Sequence, residues 1–202
     1  ILLNVWWFLC SLPIFTIGAS TCALYEVTIS YALYQSPPVT STFFEAFRKH
    51  LKKATVLSLI FLGAGLFLLV DLWCALMWNV PIKFLVLVVI LAAAYFYLAV
   101  LSHIFPVLTY FDTGVKETIK KAFLLSMSNG IFTIFIMVLN LLPVLLIILF
   151  PTYFGQILFF YVVFGFSTIA YFCSLHMVRL FDPQRAKEAE EIEEEQRRLR
   201  QE

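Results

Sequence analysis

The chain has 202 residues, 62% of them hydrophobic and 13% charged, with a formal net charge of +1 and a mean hydropathy of +0.92. Soluble domains are about half apolar and about a quarter charged, so this composition excludes an ordinary soluble enzyme. The near-neutral charge also excludes the basic footprint of a nucleic-acid-binding protein. The apolar runs are continuous rather than alternating, which indicates an all-α membrane protein and not a β-barrel.

Six apolar segments predict six transmembrane helices within a single membrane domain, residues 1–181. Their approximate ranges are 1–12, 16–35, 54–78, 82–106, 122–149 and 156–180. The first segment reaches only ~18 Å at about 1.5 Å per residue, whereas the hydrocarbon core is about 30 Å thick. We therefore interpret it as the second half of a spanning helix, and a re-entrant segment is the alternative.

An amphipathic helix is predicted at 42–53, after the break at Ser36-Pro37-Pro38. Thr42 and Glu45 have the spacing of a capping box at its start. Because aromatic residues fall on one face and basic residues on another, it should lie at the membrane surface before turning into the next span. The candidate cytoplasmic contact residues, on this helix and on the next basic segment, are Phe44, Phe47, Arg48, Lys49, Lys52, Lys53, Lys120 and Lys121.

Lysine and arginine concentrate in two short connections, residues 36–53 and 111–121, whereas the opposite turns carry only Lys83. The positive-inside rule places both basic connections in the cytoplasm, and the number of spans then places both termini there. The tail, residues 182–202, is dense in Glu and Arg and is predicted to be a charged, solvated cytoplasmic helix. The alternative is a helix that docks on a partner protein.

A short sequence, which we call the repeated phrase, occurs in two similar copies: LKKATVLSL at 51–59 and IKKAFLLSM at 119–127. Each copy leads from a basic segment into a pair of spans, which predicts two parallel helical-hairpin repeats of about seventy residues. The alternative is that the positive-inside rule alone produces both copies, because it favours lysines before any outward-going span.

Two acidic residues, Glu26 and Asp71, fall within predicted spans, where a carboxylate is costly. Both lie on faces of small residues, along which helices can approach closely. The functional interpretation is a site for a cation, a proton or a sugar hydroxyl. The structural interpretation is a carboxylate that is hydrogen-bonded between helices or kept neutral by burial.

Polar residues also form a stripe on each of the last two predicted spans. Asn129, Thr133 and Asn140 continue from Ser126 on one span. On the other span, the stripe contains Gln156, Ser167, Tyr171 and Ser174. The two stripes could line an aqueous groove, or they could join their helices by hydrogen bonds, and the sequence favours neither.

The sequence contains no nucleophile–base pair, metal-ligand spacing or nucleotide-binding motif. Its cysteines lie in apolar runs and are expected to be small packing residues, while His103 and His176 are expected to form structural hydrogen bonds. We therefore expect no catalytic residue, no metal and no cofactor, and we do not expect an enzyme.

Several segments are similar to a known family: residues 2–6 (LLNVW), 11–13 (SLP), 16–21 (TIGAST), 43–48 (FFEAFR) and 105–108 (FPVL). They resemble the bacterial YesL-like multi-pass membrane proteins, a family of unknown function, over most of residues 1–180. Residues 16–21 are the most specific part. Glu26 departs from the family pattern, in which an aromatic or apolar residue is expected.

The resemblance implies a bacterial plasma-membrane protein, and such proteins are typically encoded near carbohydrate importers. The first hypothesis is therefore an accessory subunit or partner of a carbohydrate ABC importer, without a catalytic site of its own. A small stand-alone permease that uses the polar stripes is the second, and an intramembrane enzyme is the third. The expected partners are the lipid bilayer and the importer subunits, not nucleic acid, and oligomers are left open.

Overall fold

A computed structural model describes residues 1–33, 37–77 and 82–183, and the described part is helical throughout, without a β-strand. Two short 3₁₀ turns, Ile14–Thr16 and Pro151–Tyr153, and one π-helical turn, Tyr161–Gly165, lie between the longer elements. The predicted tail helix beyond 183 and the predicted turn at 79–81 lie outside the described residues. The α-helices are α1 (Leu2–Ser11), α2 (Ile17–Ala32), α3 (Val39–Met77), α4 (Lys83–Phe111), α5 (Val115–Ser128), α6 (Gly130–Leu149), α7 (Phe154–Phe160) and α8 (Phe166–Phe181).

Four helical segments are long and apolar enough to cross a membrane: Val39–Met77, Lys83–Phe111, Gly130–Leu149 and Pro151–Phe181. The prediction of an all-α membrane protein is therefore confirmed. The count of six spans is not, because α1 and α2 have 10 and 16 residues, fewer than the ~20 that a span needs.

Helix α3 joins the predicted amphipathic helix and the predicted third span into one continuous helix of 39 residues. We predicted that the segment 42–53 turns before the span. It does not, because the helix continues straight through. The helix also begins at Val39, three residues before the predicted cap, and the Pro38 carbonyl accepts a hydrogen bond from the Thr42 amide at 3.1 Å. Residues 39–62 contain neither Gly nor Pro, so nothing interrupts the helix there.

The second copy of the repeated phrase lies on a helix that is interrupted. We predicted one span over 122–149, but α5 ends at Ser128 and α6 begins at Gly130. Asn129 between them has φ −119° and ψ 53°, which is not helical. The Thr133 hydroxyl donates to the carbonyls of Ser126 and Asn129 across this break, at 3.1 and 3.0 Å.

The two copies nevertheless bury equivalent residues in one core cluster, Ala54 and Leu57 from the first and Ala122 and Leu125 from the second. This agreement shows that the same face of each copy points inward. It does not show a duplication, because the hairpins that the two copies open differ in form.

Helix α2 is the centre of the packed core and contacts α1, α3, α4 and α8. Its close approach to α3 depends on Gly18. A Cβ atom at this position would lie 2.0 Å from the Ser58 hydroxyl and 2.7 Å from the Ala54 carbonyl oxygen. Gly18 lies within residues 16–21, the most specific part of the family resemblance, so that segment is explained by helix packing.

Candidate functional site

Charged side chains from α2, α3 and the end of α4 form an ion-pair cluster, defined as Glu26, Lys49, His50, Lys53 and Asp112. Lys49 and His50 lie 3.8 and 3.6 Å from the two carboxylate oxygens of Glu26. Lys53 donates to the Asp112 carboxylate at 2.9 Å and to the Asp112 carbonyl at 3.1 Å. The cluster therefore fixes the basic part of α3 against two other helices.

His50 is the centre of this cluster, and its side chain has no solvent exposure. One ring nitrogen faces Glu26, and the other lies 3.9 Å from the Asp112 carboxylate. Neither nitrogen has a hydrogen-bond partner. A buried imidazole without partners is costly unless nearby charges compensate for its lost hydration, and the two carboxylates are placed to do so.

Asp112 follows α4 with a left-handed backbone, φ 45° and ψ 39°, a conformation that Asp and Asn adopt more readily than most residues. The hydrogen bond from Lys53 lowers the pKa of its carboxyl group, and the charges of Lys53, His50 and Lys49 act in the same direction. Its side chain is 46% exposed, so solvent screens these interactions.

The predicted contact residues surround this cluster. Arg48 and Lys52 on α3 and Lys120 on α5 are exposed, and within the described chain they have no ion-pair partner. Lys121 is bonded to Glu117 at 3.0 Å and lies 4.5 Å from the centre of the Phe111 ring. The aromatic residues are partly buried: Phe44 packs on Trp6, and Phe47 packs on Phe43.

The two predicted polar stripes are not joined to each other by a hydrogen bond in the described structure. Asn129 donates to its neighbour Ser128 at 3.0 Å, and Asn140 donates to the Ile136 carbonyl of its own helix at 2.9 Å. Ser174 faces α2 instead, where its hydroxyl lies 2.8 Å from that of Thr28. Tyr171 and Gln156 are exposed.

Asn140 lies at the edge of a cavity of about 320 Å³ between α1, α2, α4, α6 and α8, which we call the central cavity. Trp7, Thr21 and Ser102 also line it. A larger groove of about 750 Å³ borders Gln156, and the residues around it are almost all apolar. Asp71 is half-buried on α3 and has no partner in the described part of the chain.

Asn4 was not predicted as a site residue, but its side chain is buried and joins α1 to the last membrane segment. Its amide nitrogen donates to the Val163 carbonyl at 2.5 Å, and its carbonyl oxygen accepts from the Ser167 amide at 2.9 Å. Both partners belong to or follow the π-helical turn, where the regular α-helical ladder is interrupted. Asn4 thus satisfies backbone groups that hydrocarbon could not.

His50, Asp112 and Asn4 are the residues that sequence reasoning missed. His50 looks like one more polar residue on a basic helix, and its partners come from other helices. Asp112 lies in the connection 111–121, which the sequence analysis used only for its lysines. Asn4 could have been found as a lone amide within an apolar run, which is a signal of function or of interhelical bonding. No group of His, Cys, Asp and Glu within the described residues could hold a metal ion.

The helices, their apolar faces and the cluster at one end define an integral membrane protein of the all-α class. Comparison with known proteins supplies the family. A family model described as a protein of unknown function, DUF624, matches residues 1–72. The uncharacterized protein YesL of Bacillus subtilis (strain 168) is 31% identical over 152 residues, which cover 73% of this chain and 71% of that protein. The chain therefore belongs to the DUF624 family of YesL-like proteins. No solved structure matches it.

Proposed function

We propose that this protein is an accessory membrane subunit of a bacterial carbohydrate ABC importer, to which it docks through the basic beginning of α3. The proposal includes the predicted orientation, with this end of the molecule in the cytoplasm, and the expectation that the subunit performs no catalysis. The class of partner comes from the family resemblance, and the structure contributes the docking face.

One observation carries the proposal: α3 presents unpaired basic residues from a rigid position. The helix is continuous from Val39 to Met77, so its basic part cannot swing independently of the span. The ion pairs of Glu26 with Lys49 and of Lys53 with Asp112 hold it from two sides. Arg48 and Lys52 remain exposed beside them, and pre-organised charges of this kind lower the entropic cost of binding.

Co-purification from native bacterial membranes in a mild detergent tests the proposal. We expect the membrane-spanning and ATP-hydrolysing subunits of a carbohydrate importer to purify with the tagged protein. The double variant Arg48→Glu/Lys52→Glu should lose most of them, because reversed charges at an interface repel the complementary surface.

Lys83→Glu/Lys116→Glu is a matched control, because it also reverses two basic charges, at other positions, and leaves the proposed face intact. Lys83 is the first residue of α4, at the end opposite to Asp112. It donates a hydrogen bond to the Leu76 carbonyl. The control should retain the importer subunits. Purification of the protein alone, or equal loss in both variants, would exclude docking through α3.

A small permease is the second candidate, and the position of Asn140 at the central cavity favours it. In reconstituted vesicles, Asn140→Leu should abolish uptake, whereas Asn129→Leu should leave it unchanged because Asn129 does not border that cavity. Unchanged flux in Asn140→Leu vesicles with equal protein content would remove this candidate.

A further inference from the structure

The central cavity differs from the other grooves of the molecule in its polarity. It is lined by five helices and open on one side, where Asn140 is exposed. It combines aromatic rings from Trp7, Tyr25 and Phe166 with polar groups from Thr21, Ser102 and Asn140. Binding sites for small molecules typically combine a mainly apolar lining with a few placed polar groups. The groove beside Gln156, by contrast, has an almost entirely apolar lining, which suits lipid chains.

Thr21, Ser102 and Asn140 each donate one hydrogen bond within their own helices. Asn140 donates to Ile136, Ser102 donates to the Leu98 carbonyl at 2.9 Å, and Thr21 donates to the Ile17 carbonyl at 2.7 Å. The indole of Trp7 donates to the Thr21 hydroxyl at 3.2 Å. Among these side chains, only Asn140 keeps an unused proton, the second N–H of its amide group.

Hydrogen-bond acceptors at the central cavity remain unused. The side-chain oxygen of Asn140 has no hydrogen bond in the described structure, and the Ser102 hydroxyl keeps lone pairs after its proton is used. Pro106 lies four residues after Ser102 and has no N–H, so it cannot satisfy the Ser102 backbone carbonyl as another residue would. Acceptors therefore outnumber donors at this cavity, and a ligand that fits it must supply most of the donors.

Charge and volume restrict the ligand further. The described residues around the central cavity include no Asp, Glu, Lys or Arg, so a charged ligand would be buried without a counter-ion. The cavity holds about 320 Å³, equivalent to about ten waters at ~30 Å³ each. A compact ligand of about a dozen non-hydrogen atoms would fill it.

We propose that the central cavity is a binding site for a small uncharged molecule that carries several hydroxyl groups, held by hydrogen bonds to Asn140 and Ser102 and by the rings of Trp7 and Tyr25. The hydroxyl protons satisfy the free acceptors, and the apolar face of the ligand packs on the aromatic rings. This inference does not depend on docking to an importer, because the cavity is formed within one chain.

Protection from chemical labelling tests the proposal. Leu101→Cys places a thiol at the cavity without removing an acceptor, in a chain where Cys10 and Cys74 are replaced by Ser and the two buried cysteines remain. The protein in lipid nanodiscs is treated with an uncharged methanethiosulfonate reagent, in the presence of xylitol, D-glucose, maltose or choline. We expect xylitol or D-glucose to slow labelling, and maltose to be too large to do so.

Asn140→Leu in the same chain should raise the sugar or polyol concentration for half-protection on the order of tenfold, the loss expected for one hydrogen bond. Gln156→Leu, which removes an exposed amide outside the cavity, should leave it unchanged. Absence of labelling would show that the cavity is closed to water, and protection by choline alone would replace the ligand class with a cation. Labelling without protection by any probe would also overturn the proposal. None of these results bears on importer co-purification.

Discussion

The two ends of the helix bundle are packed very differently. We call the region where Lys53 meets Asp112 the closed end, and the region formed by 59–77 of α3, 83–97 of α4 and 151–165 the open end. Five of the six buried residues of α3 lie between Phe43 and Leu57, and all buried residues of α4 lie between Ala99 and Thr109. At the open end, Phe67 and Phe84 are 66% and 80% exposed.

Close packing explains the difference better than hydropathy does. At the closed end, small residues such as Ala19, Cys22 and Ala54 are completely buried, and Gly18 lies directly against α3. Large side chains such as Leu57 and Ile104 are completely buried there too. The open end carries Leu, Val and Phe, which suit contact with lipid chains. Because lipid is as apolar as these side chains, only close packing and polar bonds hold helices together in a membrane. The closed end has both.

The largest expected effect comes from adding one methyl group at the closed end. In Gly18→Ala, the new Cβ would meet the Ala54 carbonyl oxygen, a backbone atom that cannot rotate away. We expect a loss of about 1–3 kcal/mol, near the upper limit, measured as a lower apparent melting temperature in detergent.

Gly63→Ala makes the same change in the part of α3 that belongs to the open end, where no atom lies within 4 Å of the new Cβ. It should be neutral or stabilising by up to about 1 kcal/mol, because Ala favours a helix more than Gly does. Equal destabilisation by both variants would contradict the contrast between the two ends.

The next effect concerns Asn4, which ties the π-helical turn of the open end to α1. Asn4→Leu leaves the Val163 carbonyl and the Ser167 amide without their partner. At an average of about 0.6 kcal/mol for a side-chain hydrogen bond within a membrane, the two lost bonds amount to about 1 kcal/mol. We expect a clear loss of thermal stability in detergent. Asn140→Leu is the control, because Asn140 bonds only to its own helix, and it should retain the melting temperature.

The sequence predicts more of the helices than of their contacts. Continuous apolar runs locate α4 and the last membrane segment, and the absence of Gly and Pro from 39–62 could have predicted that α3 is unbroken over that stretch. The interruption at 129 also had a signal, since Asn129-Gly130 is a turn dipeptide. The ion-pair cluster had none, and Asn4 was marked only as a lone amide in an apolar run, which does not identify its partners. In both cases the partners lie far apart in the chain, and only the packing of the helices brings them together.

A smaller effect is expected from a hydrogen bond between α2 and α8. The buried hydroxyls of Thr28 and Ser174 lie 2.8 Å apart. A double-mutant cycle with Thr28→Val and Ser174→Ala should give a coupling of about 0.6 kcal/mol, the average for such bonds in membranes. Additive single effects would show that these hydroxyls bond elsewhere.

The smallest effect is electrostatic and lies at the exposed edge of the closed end. Because Lys53 lowers the pKa of Asp112 from 3.8, this carboxylate stabilises the fold fully above that pH. The contribution is lost as the pH falls below 3.8, towards the lowered pKa of the folded state. Since solvent screens the pair, the contribution should lie at the lower end of the range for exposed ion pairs, about 0.2–0.5 kcal/mol.

Asp112→Asn isolates this charge, because Asn tolerates the left-handed backbone equally well and can still accept from Lys53. The variant should be slightly less stable than the parent at neutral pH and should approach it in acid, in melting curves recorded between pH 7 and pH 3. Lys53→Gln should remove the same acid-dependent component. A stability difference between Asp112→Asn and the parent that stayed constant across this pH range would contradict the prediction. The ion pair of Lys53 with Asp112 would then not help to hold α3 against α4, and the ion pair of Glu26 with Lys49 would be the remaining one of the two that hold the basic part of α3.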